Sequence, residues 1–450
     1  MLSLDYLHAL CLVGIAIYIW VREPPRLLLT PLMLISFFVL YGIGNIIYCV
    51  VEADDLVPGV RATVTRCLIL MWIALVIGME LARAAAPSLN ARAELVIRRW
   101  RSAPIINRPE GSQLLALLGV VVALIIFAVF FYLGKPSQLR NFLSFDLTHE
   151  KMQYRAEFAG GGGYFYQTLF ISVAPFLSFL LLVKGIATRQ RYLIAIGLLV
   201  CAAVFAGKIG TFQKVPWLVY LLQLMGVFQA TRRLEFGLGR VLLFLGVVLV
   251  GASLAALIAI PDLEPTGILE WLGYRFFQVN NEVVYQTYYV YPEYLPHTWG
   301  MNIGLVHELF GSGELVSAHS RVASFWGSDG ATYDSFFIGD AWVDFSYGGV
   351  IALSLLVGYV VKAVDIFVLS LGKVPLAIAL LGSGMYGVYQ LQVTSAFTAF
   401  FSGGLLLIPL LALASTGLFN DLYRATGHRA ASRAPAAGRP KEPEGPSAAF

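Results

Sequence analysis

Charge is what this sequence has least of. Only 13% of its 450 residues are Asp, Glu, Lys or Arg, against roughly 25% in an ordinary globular domain. With 58% hydrophobic residues and a mean hydropathy of +0.75, that shortage excludes a string of soluble domains. Cysteine is scarce too. Cys11, Cys49, Cys67 and Cys201 lie in or beside apolar runs, so they read as small buried hydrophobes and not as a disulfide framework. The six histidines include no pair at metal-ligand spacing, and neither a metal nor another cofactor is expected. Strict polar–apolar alternation is missing, which argues against a spanning barrel. A net charge of +4 does not suggest nucleic acid.

What the sequence has is hydrophobic runs of about 20 residues, the length a helix needs to cross hydrocarbon. Eleven are expected, over 4–20, 31–51, 62–82, 113–133, 164–183, 192–207, 215–230, 241–260, 348–369, 374–392 and 399–419. The first follows Asp5 and precedes Arg22 and Arg26, the reverse of a secretory signal's charge order, so it reads as a retained helix. The expected fold is an all-α polytopic membrane domain over 1–423, followed by a disordered cytoplasmic tail, 424–450, of Ala, Pro, Gly and Arg. An N-terminus outside and a C-terminus inside puts most of the 31 basic residues on the inner side, as positive-inside bias requires. The loops 134–163 and 261–347 then lie outside. The inner loop 84–111 sets Trp100 among Arg98, Arg99 and Arg101, the composition of an amphipathic piece lying on an anionic leaflet.

The segment 261–347 gathers the chemistry. It holds His297, His307 and His319 and half of the eight tryptophans. Over 268–291 the spacing predicts a helix with Arg275, Gln278, Glu282, Gln286 and Tyr289 on one face and Leu272, Phe276, Val279 and Val283 on the other. That stripe offers a cation for phosphate and a carboxylate base, or simply a solvated face with an internal ion pair. His319 and Arg321, two apart, would point the same way in extended chain and would suit activation of a hydroxyl beside a phosphate. A lone loop histidine is more commonly just hydrogen-bonded.

Other candidates lie nearby in the sequence. Asp334, Asp340 and Asp344 stand where the segment re-enters the membrane, as acid and base, as ligands to a divalent metal or as helix caps. Tyr288, Tyr289, Tyr291, Tyr294, Trp299 and Trp326 suit an interfacial belt or faces for sugar rings. Lys208 and Lys214 flank a short outer turn, where they could hold a lipid diphosphate or snorkel from helix ends. That turn lacks the glycine spacing and the strand of a nucleotide loop. Gly160 to Gly163 reads as a hinge, and Glu52, Asp54 and Asp55 either serve a metal-using glycosyltransferase or form a solvated acidic turn.

In Gly207-Lys208-Ile209-Gly210-Thr211, in Thr332 to Trp342 and in Asp344-Phe345-Ser346-Tyr347-Gly348-Gly349, the chain resembles the oligosaccharide repeat-unit polymerases of bacterial polysaccharide synthesis. These are the Wzy-type family, related to the O-antigen ligases. The resemblance implies a GT-C-like membrane fold in the bacterial inner membrane. It also implies transfer of a glycan from one undecaprenyl-diphosphate carrier to a sugar hydroxyl on another, at the outer face and without a nucleotide. The product would be an O-antigen, capsule or exopolysaccharide, and a chain-length regulator and a flippase would be partners. Arg275, Arg321 and Lys208 or Lys214 would bind the diphosphate, with Glu282 or His319 as base and Asp334 in reserve. An O-antigen ligase, a polyprenyl-phosphate-sugar glycosyltransferase and a non-enzymatic flippase or transporter are the competing expectations. A transporter should carry polar residues deep within several helices.

Overall fold

Within hydrocarbon, each backbone N–H and C=O must be satisfied inside its own segment, so a chain this apolar folds into helices. The computed structural model describes residues 2–52, 56–106, 112–133, 168–210, 214–235, 246, 267–311, 317–327 and 336–413. Among these there is no strand, and one isolated bridge joins Arg26 to Glu235. The chain divides into two units, Met1–Ile408 and Pro409–Phe450. The second is described only over 409–413, which are helical, and the elements named below belong to the first.

Helices run in the order α1 (Leu2–Arg22), α2 (Leu29–Val51), α3 (Pro58–Ala85), α4 (Pro87–Arg99), α5 (Ser112–Leu133) and α6 (Leu169–Thr188). Next come α7 (Arg191–Gly210), α8 (Lys214–Ala230), α9 (Ile268–Gly273), α10 (Val279–Val290), α11 (Gly304–Phe310) and α12 (Ala318–Phe325). The last three are α13 (Phe337–Ser370), α14 (Pro375–Val393) and α15 (Ala396–Phe400). Among the described residues eight of these, α1, α2, α3, α5, α6, α7, α13 and α14, are long and apolar enough to cross a membrane, and α8 is a shorter apolar helix. The protein is therefore a membrane-embedded helical protein.

Of the eleven expected spans, 241–260 lies outside the described residues apart from Gly246, as do the loop 134–163 with its Gly160 to Gly163 hinge, Asp54, Asp55, Asp334 and the tail 424–450. The start of the expected span 399–419 is not one helix. It is the end of α15 and a turn through Gly404, whose φ is +78°.

Helices α3 and α13 make the central pair. A Cβ on Gly78 would sit 2.1 Å from Leu355 O, and one on Gly358 2.2 Å from Leu75 O. Only glycine permits that approach, which is how helices without a hydrophobic force between them gain contact in lipid. Contacts at both ends show that α1, α3 and α13 run the same way. Asp5 meets Arg61 at 2.9 Å near the starts of α1 and α3. Near the far ends, buried Glu23, just past α1, takes Arg83 of α3 and, at 2.5 Å, Lys362 of α13.

Among the described residues three π-helical turns interrupt the regular geometry. They are Phe38–Ile43 inside α2, Leu169–Val173 at the start of α6 and Tyr274–Gln278 between α9 and α10. A π turn displaces the i→i−4 ladder, and Asn281 bonds to carbonyls of the first and the last of them. Its Nδ2 donates to Leu40 O at 3.0 Å and to Phe277 O at 2.7 Å. Tyr285 adds a bond to Asn45 Oδ1 at 3.1 Å. The polar segment is thereby fastened to the apolar bundle.

The extra residue of the last π turn also shifts the expected stripe over 268–291. The buried side of α10 is Asn281, Val284, Tyr285, Thr287, Tyr288 and Val290, while Val279 and Val283 are only half-buried. The loop 84–111 differs from expectation as well. It folds into α4 against α13, and Trp100 is 1% exposed, its indole donating to Ala230 O at 2.7 Å. Lys373 Nζ donates to Trp100 O and Ala103 O at 2.9 and 3.0 Å. This tryptophan is held by protein and not by a leaflet.

Candidate functional site

Helix α13 breaks near its start. Phe345 (φ −139°, ψ 19°) and Ser346 (φ 54°, ψ −144°) leave helical space, and a non-glycine residue at the second position is strained. The break releases two carbonyls, and residues 297–302 fill it as a strap. Thr298 N donates to Val343 O and Trp299 N to Asp344 O, both at 3.0 Å. Asp344 completes the joint. Its Oδ1 accepts from the Thr298 hydroxyl at 2.5 Å and from Gly300 N at 3.2 Å.

The strap ends at Asn302, which joins three elements. Its Nδ2 donates to Asp340 Oδ1 of α13 at 2.9 Å, and its Oδ1 accepts from Ala318 N, the first residue of α12, at 2.8 Å. Ser317 caps α12, its hydroxyl accepting from Ser320 N at 3.2 Å. Held in this way, α12 presents His319 with Nε2 3.3 Å from Asp340 Oδ1. Asp340 is 3% exposed, and its second oxygen, Oδ2, has no hydrogen-bond partner among the described residues.

A carboxylate beside a ring nitrogen orients an imidazole. The arrangement can remove a proton from a hydroxyl and return it. Arg321 is exposed on the same short helix and lies beside the Tyr291 hydroxyl, short of a well-formed hydrogen bond. Burial pushes the Tyr291 phenol up, and the guanidinium works against that shift.

No family model, curated protein or solved structure matches this chain. The site is therefore read from its own geometry.

His319 and Arg321 are brought together, but on a helix and not in extended chain. Two-residue spacing on a helix turns side chains apart, so His319 faces Asp340 while Arg321 faces solvent. Asp340 and Asp344, four apart in sequence, do share this site. Arg275 is exposed in the π turn, its guanidinium 5.7 Å from the Trp271 ring centroid. An internal ion pair with Glu282, the alternative reading of that stripe, does not form among the described residues, and the π turn inserts a residue between the two. Glu282 instead accepts from Gln286 at 3.0 Å and from the Tyr274 hydroxyl at 3.4 Å.

Lys208 is fully buried near the end of α7, its ammonium 4.6 Å from the Tyr386 ring centroid and 5.9 Å from that of Tyr220. Lys214 begins α8, but its side chain, like Asp334, lies outside the described residues.

The aromatic residues divide. Tyr288 and Tyr291 are buried, and Tyr288 stacks on Trp342 with centroids 4.7 Å apart. Tyr289, Tyr294, Phe325 and Trp326 form a cluster with exposed faces at the end of α12, with Tyr294 and Phe325 4.9 Å apart and Tyr289 and Trp326 5.8 Å apart. Asn302 is the residue that sequence reasoning missed, because a lone asparagine in a loop carries no spacing signal.

Proposed function

We propose that the chain polymerises undecaprenyl-diphosphate-linked oligosaccharide repeat units into a surface polysaccharide. The observation that carries the reading is His319, held against buried Asp340, with Arg321 on the same helix and an aromatic cluster beside it. This site lies at the start of α13, and the basic residues Arg22, Arg83, Arg98 and Lys362 lie toward the other end. Positive-inside bias then puts the basic end in the cytoplasm. It puts His319 and the N-terminus at the periplasmic face of a bacterial inner membrane, where lipid-linked donors present their glycans.

In the reaction, His319 takes the proton of an acceptor sugar hydroxyl as its oxygen attacks the anomeric carbon of the donor glycan. The bond from that carbon to the diphosphate oxygen breaks, and the carrier leaves as undecaprenyl diphosphate. Arg321 and Arg275, both exposed, meet its charge. A cation about 4 Å from a phosphate charge contributes about 4 kcal/mol at an effective dielectric of 20, near three powers of ten in rate if it develops only in the transition state. The cluster of Tyr289, Tyr294, Phe325 and Trp326 gives sugar rings a face to lie on. Asp340 positions His319. Glu282, held by Gln286 and Tyr274, is the second candidate base. Buried Lys208 does not face a lipid headgroup in this arrangement.

The test is reconstitution of the purified protein with a defined undecaprenyl-diphosphate oligosaccharide and no nucleotide. A ladder of added repeat units, absent with His319→Ala, supports the polymerase. Unchanged substrate from folded protein, with transfer appearing only when lipid A core is supplied as acceptor, replaces it with a ligase.

A further inference from the structure

The end of the bundle remote from His319 holds a cavity of about 240 Å³ between α1, the 23–28 link, α4 and α13. We propose that it binds the phosphate of an anionic lipid headgroup. Its charges are unequally committed. Glu23 is used by Arg83 and Lys362. Asp365 is used by the first turn of α2, accepting from Leu29 N at 2.9 Å, from Thr30 N at 2.8 Å and from the Thr30 hydroxyl at 2.6 Å. Glu94 keeps its charge, since its bond from Asn90, at 3.3 Å on the same helix, comes from a neutral amide; against these three acids the lining sets Arg22, Arg26, Arg83, Arg98 and Lys362, of which Arg22 is paired with Glu80 at 3.2 Å.

Two cations remain. Arg26 from the link and Arg98 from α4 line the cavity and form no ion pair among the described residues. Two guanidinium groups from separate walls, with no acid assigned to them, match a phosphate, whose oxygens accept paired N–H donors.

The remaining wall says which phosphate. Val21, Leu28, Ile97 and Leu369 also line the cavity, and Val21 is 66% exposed on α1, next to Trp20 at 78%. The cavity thus opens onto an apolar helix surface of the kind that faces acyl chains, and a headgroup can enter with its tails still in hydrocarbon. Its volume falls below the roughly 300–1,000 Å³ of pockets that enclose a whole organic ligand, so it takes a headgroup and not a lipid. Basic pockets between membrane helices on the cytoplasmic side recognise anionic headgroups in this manner. The assignment is independent of the reaction at His319.

The test uses full-length protein, delipidated in detergent, and a fluorescent short-chain phosphatidylglycerol. The Arg26→Gln/Arg98→Gln double variant should bind about tenfold more weakly or worse, as expected for removing two cations near a lipid phosphate. Arg92→Gln, on the exposed side of α4 and away from the cavity, should bind as the wild type does. Unlabelled phosphatidylglycerol should compete and phosphatidylcholine should not. Equal binding by wild type and double variant overturns the site. Competition by inorganic phosphate as strong as by the lipid overturns the lipid assignment and makes the ligand a soluble phosphate. If the double variant does not fold, Arg98→Gln alone, at an exposed side chain, reads the same question, and wild-type binding by that variant overturns it.

Discussion

The two ends of α13 each bury a carboxylate, and they treat it differently. Asp365, at the basic end, has both oxygens occupied by donors of the first turn of α2. Asp340, at the other end, shares one oxygen between Asn302 and His319 and leaves the second without a partner among the described residues. A buried polar atom without a partner costs about 1–3 kcal/mol, so a purely structural residue would be expected to resemble Asp365. Satisfied carboxylates hold helices together. A carboxylate with an oxygen left over among the described residues, set against a histidine, is the one that the proposed reaction uses.

Substitutions at each end put that contrast to the test. His319→Ala should lower polymer formation by roughly 10²–10⁴-fold, the range for losing a general base, with unchanged thermal unfolding in detergent. Loss of folding alongside loss of product would make the His319 end structural after all. Glu23→Gln should do the opposite. It leaves Arg83 and Lys362 without their shared carboxylate and should cost about 3–5 kcal/mol of stability. Turnover per folded molecule should stay at the wild-type value, and a fall in that turnover would erase the division between the ends.

A smaller effect is expected at Asp365→Asn, which removes the charge that accepts from Leu29 N and Thr30 N. About 0.5–2 kcal/mol, the scale of a lost helix cap, should disappear from the unfolding free energy, again without a change in rate. Ser346→Gly should act with the other sign. The serine sits at φ 54°, where glycine is unstrained, and the variant should gain about 1 kcal/mol, read as a raised unfolding midpoint. A lowered midpoint would mean that the serine side chain stabilises the break.

Much of the fold was legible, because membrane helices depend on length and apolarity, and both are local. The runs that became α1, α2, α3, α5, α6, α7, α13 and α14 needed no tertiary knowledge. The site was legible in part. His319, Arg321, Asp340 and Asp344 were visible as residue types in one segment, whereas their grouping depends on the break at Phe345 and Ser346 and on Asn302, which leave no periodic trace. Arg275 and Glu282 show the reverse failure. Their spacing suggested one face, and a single π turn removed it, since no local propensity announces where a helix takes in an extra residue. Trp100 was assigned to a leaflet because composition cannot tell an interface with lipid from one with protein.

The crossing of Gly78 and Gly358 also sets what the molecule cannot do. If α3 slipped along α13 by one turn, about 5.4 Å, Ala74 or Ala82 would arrive opposite Leu355 O, and its methyl group would occupy the place where a Cβ on Gly78 would lie 2.1 Å from that oxygen. The pair is keyed to one register, like a shaft in its slot. The span between the histidine end and the arginine-lined cavity is therefore a fixed length, and no piston stroke of these two helices carries a signal from one to the other.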